Sequence, residues 1–214
     1  CEERGMHAFE DAAAVIEAVD VVVIAVKPYM IERVLGPVAQ LLADKVVLSV
    51  AAGWDCEAYE RVIPGTRHLS TVPNTPVAIN EGVIACEKAS TLTEADHDLV
   101  FALLDLLGTP VEVETRLLSV AGTVGGCSPA FIAMVIEALA DAAVKHGIPR
   151  ATAYPMVSQM MVGTAKLQLS TGMHPGAMKD AVCSPGGTTI RGVAELEAAG
   201  MRSAFIRAID AIEG

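Results

Sequence analysis

The stretch richest in potential chemistry is a glycine-containing turn, Cys183-Ser184-Pro185-Gly186-Gly187-Thr188-Thr189, which leads into a predicted helix. Its two adjacent glycines leave the backbone uncovered, and the start of a helix offers unpaired N–H groups at a positive dipole end. Ser184 and Thr189 add hydroxyl groups. Such a turn can bind a small carboxylate or a phosphate, although an ordinary helix cap uses the same residue types.

Three more turns follow predicted strands, at the place where open α/β sheets bind ligands. They are Ala25-Val26-Lys27-Pro28, Val50-Ala51-Ala52-Gly53 and Ser70–Pro76. Small residues let backbone amides approach a dinucleotide, and Lys27 could contact its ribose or phosphate. In the third turn, two prolines stiffen the loop around Asn74-Thr75. The first two could be ordinary strand-to-helix turns, and the third could equally be just a turn. The G-x-G-x-x-G fingerprint is not in this sequence.

The cysteines and histidines suggest neither a metal site nor a nucleophile. The chain has five cysteines and no C-x-x-C motif, which favours free thiols in a reducing compartment such as the cytoplasm. Its histidines have no metal-ligand spacing to any cysteine or carboxylate. Cys127 and Cys183 lie in glycine-rich turns, where a thiol is typically a small packing residue. We therefore expect no metal.

The elements that must position these residues change in kind along the chain. The first half alternates apolar β-branched runs with helical periodicity, which predicts an α/β layer with a mostly parallel sheet. Predicted strands are Val21–Val26, Val46–Val50, His68–Thr71, Val83–Cys86 and Val111–Val113. Predicted helices are Ala12–Ala18, Met30–Leu42, Glu57–Val62 and a segment from the cap Thr93 to Leu107, with Gly108 at its C′ position.

From about Leu117 onward helices replace strands. Ser128 is a candidate N-cap for a helix that opens at Pro129 and ends at Gly147. The other predicted helices run from Pro149 to Ser170 with a kink at Pro155, and over Pro175–Val182, Thr188–Ala199 and Arg202–Ile212. We therefore predict an α/β domain at residues 1–116 and an all-helical domain at residues 117–214. Because Ala151–Ala165 has no charge, we expect it to be buried in its own core or in a partner's.

Composition excludes several classes of protein. The 214 residues are 52% apolar, enough for a sizeable core, and the formal net charge of −11 opposes binding to nucleic acid. Aromatic residues make up 4%, too few for a base-stacking surface. The uncharged run Leu117–Ile136 contains three glycines and a proline, which makes it a poor membrane helix. The first residues lack the apolar region of a signal peptide. No initiator Met is present, so we expect an N-terminal segment to be absent.

Five motifs in order resemble the pyrroline-5-carboxylate reductase family. Four are short: Ala25-Val26-Lys27-Pro28, Ala51-Ala52-Gly53, Pro73-Asn74-Thr75-Pro76 and Ser128-Pro129-Ala130-Phe131. The fifth and most specific is the block His174-Pro175-Gly176 … Met178-Lys179-Asp180 … Ser184-Pro185-Gly186-Gly187-Thr188-Thr189-Ile190. The tail Ala199-Gly200-Met201-Arg202-Ser203 is similar as well, so the resemblance extends from Cys1 to the C-terminus.

The resemblance implies a Rossmann-like domain for NADPH or NADH and a helical domain that interlocks two subunits. The implied reaction is hydride transfer to 1-pyrroline-5-carboxylate, giving L-proline. The implied enzyme is a cytoplasmic homodimer, and whether such dimers form a larger oligomer is left undecided by the sequence. The implied carboxylate site comprises Ser184, Gly186, Gly187 and Thr188, and Thr189 is the implied catalytic contact to the ring nitrogen. The residues implied to line the cofactor are Val26, Lys27, Pro28, Ala51, Ala52 and Asn74.

The chain also departs from the family pattern. The first strand, the phosphate-binding glycine loop, the first helix and the second strand are missing, so we expect poor dinucleotide binding by this chain alone. Ala181, Cys183 and Ser119 stand where Asn, Ser and Asp are frequent, and Gly125-Gly126-Cys127-Ser128 replaces a more serine-rich turn. Two alternatives stay open: a related imine or enamine reductase, and a non-catalytic paralogue that keeps the dimer.

Overall fold

The computed structural model describes residues 5–214, which form two compact units that divide between Pro129 and Ala130. The first unit contains a five-stranded sheet with helices, and the second is helical. This confirms the predicted fold class, a Rossmann-like α/β layer followed by an all-helical part. The predicted boundary between residues 116 and 117 stays a prediction.

The first unit alternates strands and helices. Its strands are β1 (Val21–Ile24), β2 (Val46–Ser49), β3 (Arg67–Pro73), β4 (Gly82–Glu87) and β5 (Gly108–Val113). Its α-helices are α1 (Ala12–Glu17), α2 (Ile31–Leu35), α3 (Cys56–Val62), α4 (Glu94–Asp105) and α5 (Leu118–Gly122). Among the described residues of this unit, 3-10 segments are found at Pro28–Met30, Gly36–Leu42, Thr75–Ile79 and Thr115–Leu117, and a π-helical turn at Thr123–Cys127. The predicted helix Met30–Leu42 is thus α-helical only in part.

Strand β2 explains why the sheet is covered on both faces. All four of its residues are buried, and successive side chains of a strand point to opposite faces. Val46 and Leu48 pack in one apolar cluster with residues of α4, whereas Val47 packs in another with residues of α1, α2 and α3. A continuous apolar run is typical of a strand with helices on both sides.

The sheet is parallel except at one pair. The order is β1-β2-β3-β4-β5, with β3 and β4 antiparallel and all other neighbours parallel. The connection from β3 to β4 is a 3-10 turn that ends at Asn80, whose φ is 61°. A parallel crossover needs about a dozen residues or more, so this shorter connection reverses the chain. The carboxyl ends of β1, β2 and β3 consequently share one edge of the sheet.

Two predicted caps differ from the structure. Gly108 is not at the C′ position of α4, because the helix already ends at Asp105; it opens β5 with a φ of 155°, where a Cβ would collide with the Gly82 backbone. Ser128 is not an N-cap, because its φ of −61° and ψ of −24° are helical and the chain arrives there through the π turn. By contrast, Thr93 caps α4 as predicted, in a capping box with Asp96.

The second unit contains five helices among the described residues and little core. They are α6 (Ser128–Lys145, which begins just before the division), α7 (Arg150–Thr171), α8 (Pro175–Ala181), α9 (Thr188–Ala198) and α10 (Met201–Glu213). Its buried apolar side chains, among those described, are Ala140, Ala153 and Val157. The uncharged segment Ala151–Ala165 is therefore mostly exposed in the single chain, and its own core does not bury it. Pro155 lies inside α7.

One helical stretch of the described chain, Thr115–Lys145, is long and apolar enough to cross a membrane by length and composition alone. Only 6% of its most apolar window is buried within the chain. Core helices of soluble proteins have the same length and composition, so this property does not by itself indicate a membrane protein.

Candidate functional site

The predicted cofactor residues lie at the shared edge where β1, β2 and β3 end. Val26, Lys27 and Pro28 follow β1, and Lys27 is exposed while its two neighbours are half-buried. Ala51 and Ala52 follow β2, the first buried and the second exposed. Because these strands are parallel neighbours, the structure brings both turns to one edge.

Hydrogen bonds beneath the edge hold the turn after β2. The buried Ser49 hydroxyl accepts the Ala51 N–H at 3.1 Å and lies 2.7 Å from the Tyr59 hydroxyl. Burial raises the pKa of Tyr59, so its phenol stays protonated and available as a donor. The Tyr59 ring in turn packs against Trp54, with ring centroids 5.2 Å apart. These contacts fix the backbone from Ala51 to Trp54.

A cavity of about 360 Å³ opens beside this turn, within the first unit. Its residues come from the turn after β2, from β3 and from the helical segment that follows β5. They are Ala52, Gly53, Trp54, Asp55, Val72, Thr115, Leu118, Ser119, Gly122, Thr123, Gly126 and Cys127. The volume is at the lower end of the range for small-molecule sites, enough for one ring-sized group.

Glycines allow the helical segment after β5, residues 115–127, to lie close to the sheet; this segment forms the helical wall of the cavity. A Cβ at Gly122 would be 3.0 Å from Val72 Cγ1, and one at Gly125 would be 2.8 Å from Val83 Cγ1. At Gly126, in contrast, a Cβ would meet nothing within 4 Å, and this residue lines the cavity. The glycine-rich turn Gly122–Pro129 therefore packs closely against the sheet at Gly122 and Gly125 and leaves its backbone open beside the cavity at Gly126.

Asn74 joins the sheet to this wall through its side-chain amide. Its Nδ2 donates to the Gly125 carbonyl at 3.1 Å, and its Oδ1 accepts the Val83 N–H at 3.0 Å. Asn74 is half-buried and is not among the residues that line the cavity. Of the six residues predicted to contact the cofactor, Ala52 alone lines it.

A buried carboxylate holds the other end of the wall. Glu87 is 1% exposed; its Oε1 accepts the Thr115 hydroxyl at 2.6 Å and its Oε2 accepts the Cys56 N–H at 2.8 Å. Burial, and then the nearby Glu87 charge, raises the pKa of the Cys56 thiol. Cys56 is thus poorly suited to act as a nucleophile, in keeping with a packing role.

Most residues that line the cavity were not predicted from the sequence. Trp54, Asp55, Thr115 and Thr123 belong to no motif, because neither their types nor their spacing is distinctive. The one available signal was position, because Trp54 and Asp55 directly follow the small-residue turn Ala51-Ala52-Gly53. The residues from Thr115 onward are far away in sequence, and only the fold brings them to this edge.

The predicted anion-binding turn is in the second unit. Gly187 is the N-cap of α9, and no side chain caps this helix. Gly186 has a φ of 69°, which favours glycine, and the Gly187 N–H donates to the Ser184 carbonyl at 3.0 Å. A Cβ at Gly187 would collide with the Ser184 hydroxyl. The residues Ser184, Gly186, Thr188 and Thr189 are exposed in the single chain, so a ligand can reach them.

Comparisons with known proteins agree for both units. Residues 115–213 match a family model described as pyrroline-5-carboxylate reductase dimerisation, and residues 1–53 match one described as NADP oxidoreductase, coenzyme F420-dependent. A pyrroline-5-carboxylate reductase from Treponema pallidum is 41% identical over 99% of this chain and 82% of its own length. The chain belongs to the pyrroline-5-carboxylate reductase family.

Solved structures of pyrroline-5-carboxylate reductases share the fold. The Streptococcus pyogenes enzyme aligns over 99% of this chain and 81% of its own, with a TM-score of 0.88 and 31% identity. The Plasmodium falciparum enzyme, whose structure has NADP bound, aligns over 95% of this chain and 78% of its own, with a TM-score of 0.87 and 26% identity.

The described residues include no group of three or more His, Cys, Asp or Glu side chains that could hold a metal ion.

Proposed function

We propose that the protein reduces 1-pyrroline-5-carboxylate to L-proline with NADPH or NADH, the last step of proline biosynthesis. The observation that carries this proposal is the 41% identity to a pyrroline-5-carboxylate reductase across 99% of the chain. The reaction adds a hydride to the C=N carbon and a proton to the nitrogen, which turns the cyclic imine into a secondary amine.

The turn before α9 holds the substrate carboxylate. The backbone at Gly186, Gly187 and Thr188, together with the Ser184 hydroxyl, surrounds a helix start that has no side-chain cap. The Gly187 N–H donates to the Ser184 carbonyl, but the N–H groups of the first turn of α9 and the helix dipole favour an anion there by about 0.3–2 kcal/mol. Within residues 5–214, no side-chain carboxylate caps this helix and would have to be displaced by the substrate.

Thr189 is the residue we assign to the reacting ring. It follows Thr188 in the first turn of α9, one residue beyond the carboxylate-binding backbone. A hydroxyl there can hydrogen-bond the imine nitrogen while the carboxylate is held, which orients the C=N carbon. Orientation is the main contribution of the protein, because the chemistry of hydride transfer belongs to the cofactor.

The edge of the sheet fits a nicotinamide cofactor. Exposed Ala52 and Gly53, with a φ of 77° at Gly53, let a ligand approach the backbone, and the cavity beside them accommodates one ring. When bound, the nicotinamide supplies the hydride. Lys27 is an exposed cation at the same edge that can face a phosphate or ribose; Val26, Pro28 and Ala51 shape the surface, and Asn74 is close to it.

The second unit makes a homodimer, and α7 is central to its interface. Most apolar side chains of α7 are exposed in one chain, including Leu167 at 55% and Leu169 at 80%. A second copy that covers this face also explains the apolar surface of Thr115–Lys145 without a membrane. On this proposal, residues 1–116 are the cofactor domain, residues 117–214 are the dimerisation and substrate domain, and the enzyme is cytoplasmic.

The test is oxidation of NADPH by the purified gene product on addition of 1-pyrroline-5-carboxylate, with chiral detection of L-proline. The full gene product is used because the relatives are longer than this chain. Turnover of the five-membered imine well above that of a six-membered cyclic imino acid is the expected result. Preference for the larger ring would indicate a related imine reductase, and a folded dimer without turnover of either would indicate a non-catalytic paralogue.

A further inference from the structure

One helical carbonyl, next in sequence to the cavity-lining Gly126, cannot accept the donor that a regular α-helix would supply. In an α-helix the Gly125 carbonyl would accept the N–H of residue 129, but residue 129 is a proline and has none. The chain forms a π-helical turn at this place, Thr123–Cys127. Single π turns in longer helices often mark functional sites, where they displace side chains from regular helical positions.

Asn74 donates to this carbonyl from the neighbouring strand end. Its Nδ2 reaches the Gly125 carbonyl at 3.1 Å, and the bond from the Val83 N–H to its Oδ1 fixes the orientation of the amide. Gly125 has no Cβ, so the turn can lie against Val83 closely enough for this bond. Both polar atoms of the side chain are therefore engaged within the protein.

We propose that Asn74 is a positioning residue for hydride transfer, which acts through the Gly125 carbonyl instead of contacting the cofactor. Its bond fixes the π turn, and the same turn presents Gly126 and Cys127 to the cavity. If the turn relaxes, that wall moves and the reacting ring loses its orientation. This inference rests on the proposed reductase function.

The decisive comparison is Asn74→Asp against Asn80→Asp. An aspartate at position 74 keeps the acceptor for Val83 N–H but places a carboxylate oxygen against the Gly125 carbonyl. Asn80 is exposed, has no part in the cavity and ends the same loop with a left-handed φ that aspartate tolerates. We expect Asn74→Asp to lower kcat roughly 10–100-fold, because small misplacements of reacting atoms reduce rates strongly. Asn80→Asp should leave kcat unchanged.

A separation of kcat from binding distinguishes positioning from cofactor contact. For Asn74→Asp we expect the dissociation constant for NADPH and the KM for the imine to stay within about threefold of the unmodified protein. A large rise in the NADPH dissociation constant at unchanged kcat would show direct contact and overturn the inference. Unchanged kcat and unchanged binding would overturn it too. If the unmodified protein has no turnover, it is the proposed function that fails.

Hydrogen exchange tests, without any enzymatic turnover, whether the Asn74 bond to the Gly125 carbonyl stabilises the π turn. Peptides that cover Thr123–Cys127 should take up deuterium faster in Asn74→Asp than in Asn80→Asp or the unmodified protein. Adding Pro129→Ala returns an N–H to the helix and should slow this exchange again in the double variant. Equal exchange in all variants would show that the Asn74 bond does not stabilise the π turn, even if the reductase activity were confirmed.

Discussion

The two units of this chain differ in how many of their apolar side chains are buried within the chain itself. In the first unit, apolar side chains fill two clusters, one on each face of the sheet, and include fully buried Ile31, Leu42 and Val100. In the second unit, the buried apolar cluster consists of Ala140, Ala153 and Val157. Helices as apolar as α6 and α7 need a larger core than this, so their stability has to come from outside the single chain.

Apolar patterning in the sequence therefore predicts that a helix is buried, but not whether its own chain or a partner chain buries it. The uncharged segment Ala151–Ala165 reads like the centre of a core. Its helix nevertheless leaves Met156, Met160 and Val162 between 46% and 49% exposed in one chain. An apolar groove of about 1,060 Å³, lined largely by residues of α7 and α8, follows the same helix. A second copy of the chain is the simplest cover for it.

The largest predicted effect is on assembly, and a matched pair of leucines tests it. Leu167 in α7 and Leu99 in α4 are 55% and 47% exposed in the single chain. If α7 is covered in a dimer, Leu167→Glu buries an unpaired charge and should destabilise the dimer by about 3–5 kcal/mol. Light scattering should then detect monomers, while Leu99→Glu stays dimeric. If both variants have the same oligomeric state, the proposal that a partner covers α7 but not α4 is wrong.

The next largest effect is in the core of the first unit. Leu69→Ala leaves a cavity between β3 and α4, and we expect a loss of about 2–5 kcal/mol in the free energy of unfolding of that unit. Because this core belongs to one chain, the loss should not vary with protein concentration in denaturant titrations. For Leu167→Glu the loss should vary with concentration. A concentration-dependent effect of Leu69→Ala would mean that the first unit also depends on the partner.

A smaller effect is expected in the turn before α9 of the second unit. If Thr189 contacts the reacting ring as proposed, Thr189→Ala removes one hydrogen bond worth about 1–3 kcal/mol, so kcat/KM should fall roughly 5–150-fold. Thr188→Ala is the matched control, because we assign only the backbone of that residue to the substrate. Steady-state kinetics that are equal for both variants would remove Thr189 from the mechanism.

The smallest effect is a dependence of stability on pH in the first unit. Hydrogen bonds from Thr93 and the nearby Arg67 guanidinium lower the pKa of Asp96. Its contribution to stability is therefore fully present above the unfolded pKa of about 3.9 and is lost as the pH falls through the lower folded pKa. Asp96→Asn should flatten this part of the pH profile in urea titrations. An unchanged profile would assign the acid sensitivity to other carboxylates.

Sequence patterns predicted the elements of the first unit because local chemistry determines them. Val46–Val50 is apolar at every position, which leaves little choice besides a strand buried on both faces. Thr93 was predicted as a helix cap, and the structure confirms it in a capping box with Asp96. The reversal between β3 and β4 could not be predicted in this way, because strand direction follows from the length of a connection whose ends were uncertain.

The site was predictable only in part, for a related physical reason. The turns after β1 and β2 and the turn before α9 consist of consecutive residues, so their small side chains are visible in the sequence. The cavity wall depends on Asn74 meeting Gly125, fifty-one positions away. Ser128-Pro129 looked like the start of a helix, because a proline at that position normally opens one. In the structure the helix continues through Pro129 after a π turn, and the Gly125 carbonyl accepts a hydrogen bond from Asn74.

The antiparallel step from β3 to β4 also has a consequence for the order of folding. It places Val83 beside Asn74 within a hairpin, so the first bond of the amide closes a loop of nine residues. The second bond, to Gly125, closes a far longer loop, and long loops lose more chain entropy on closure. We therefore expect the amide to be oriented by its hairpin before the helical wall docks. The local hairpin between β3 and β4 thus orients the Asn74 amide, and the helical segment that contains Gly125 packs against it afterwards.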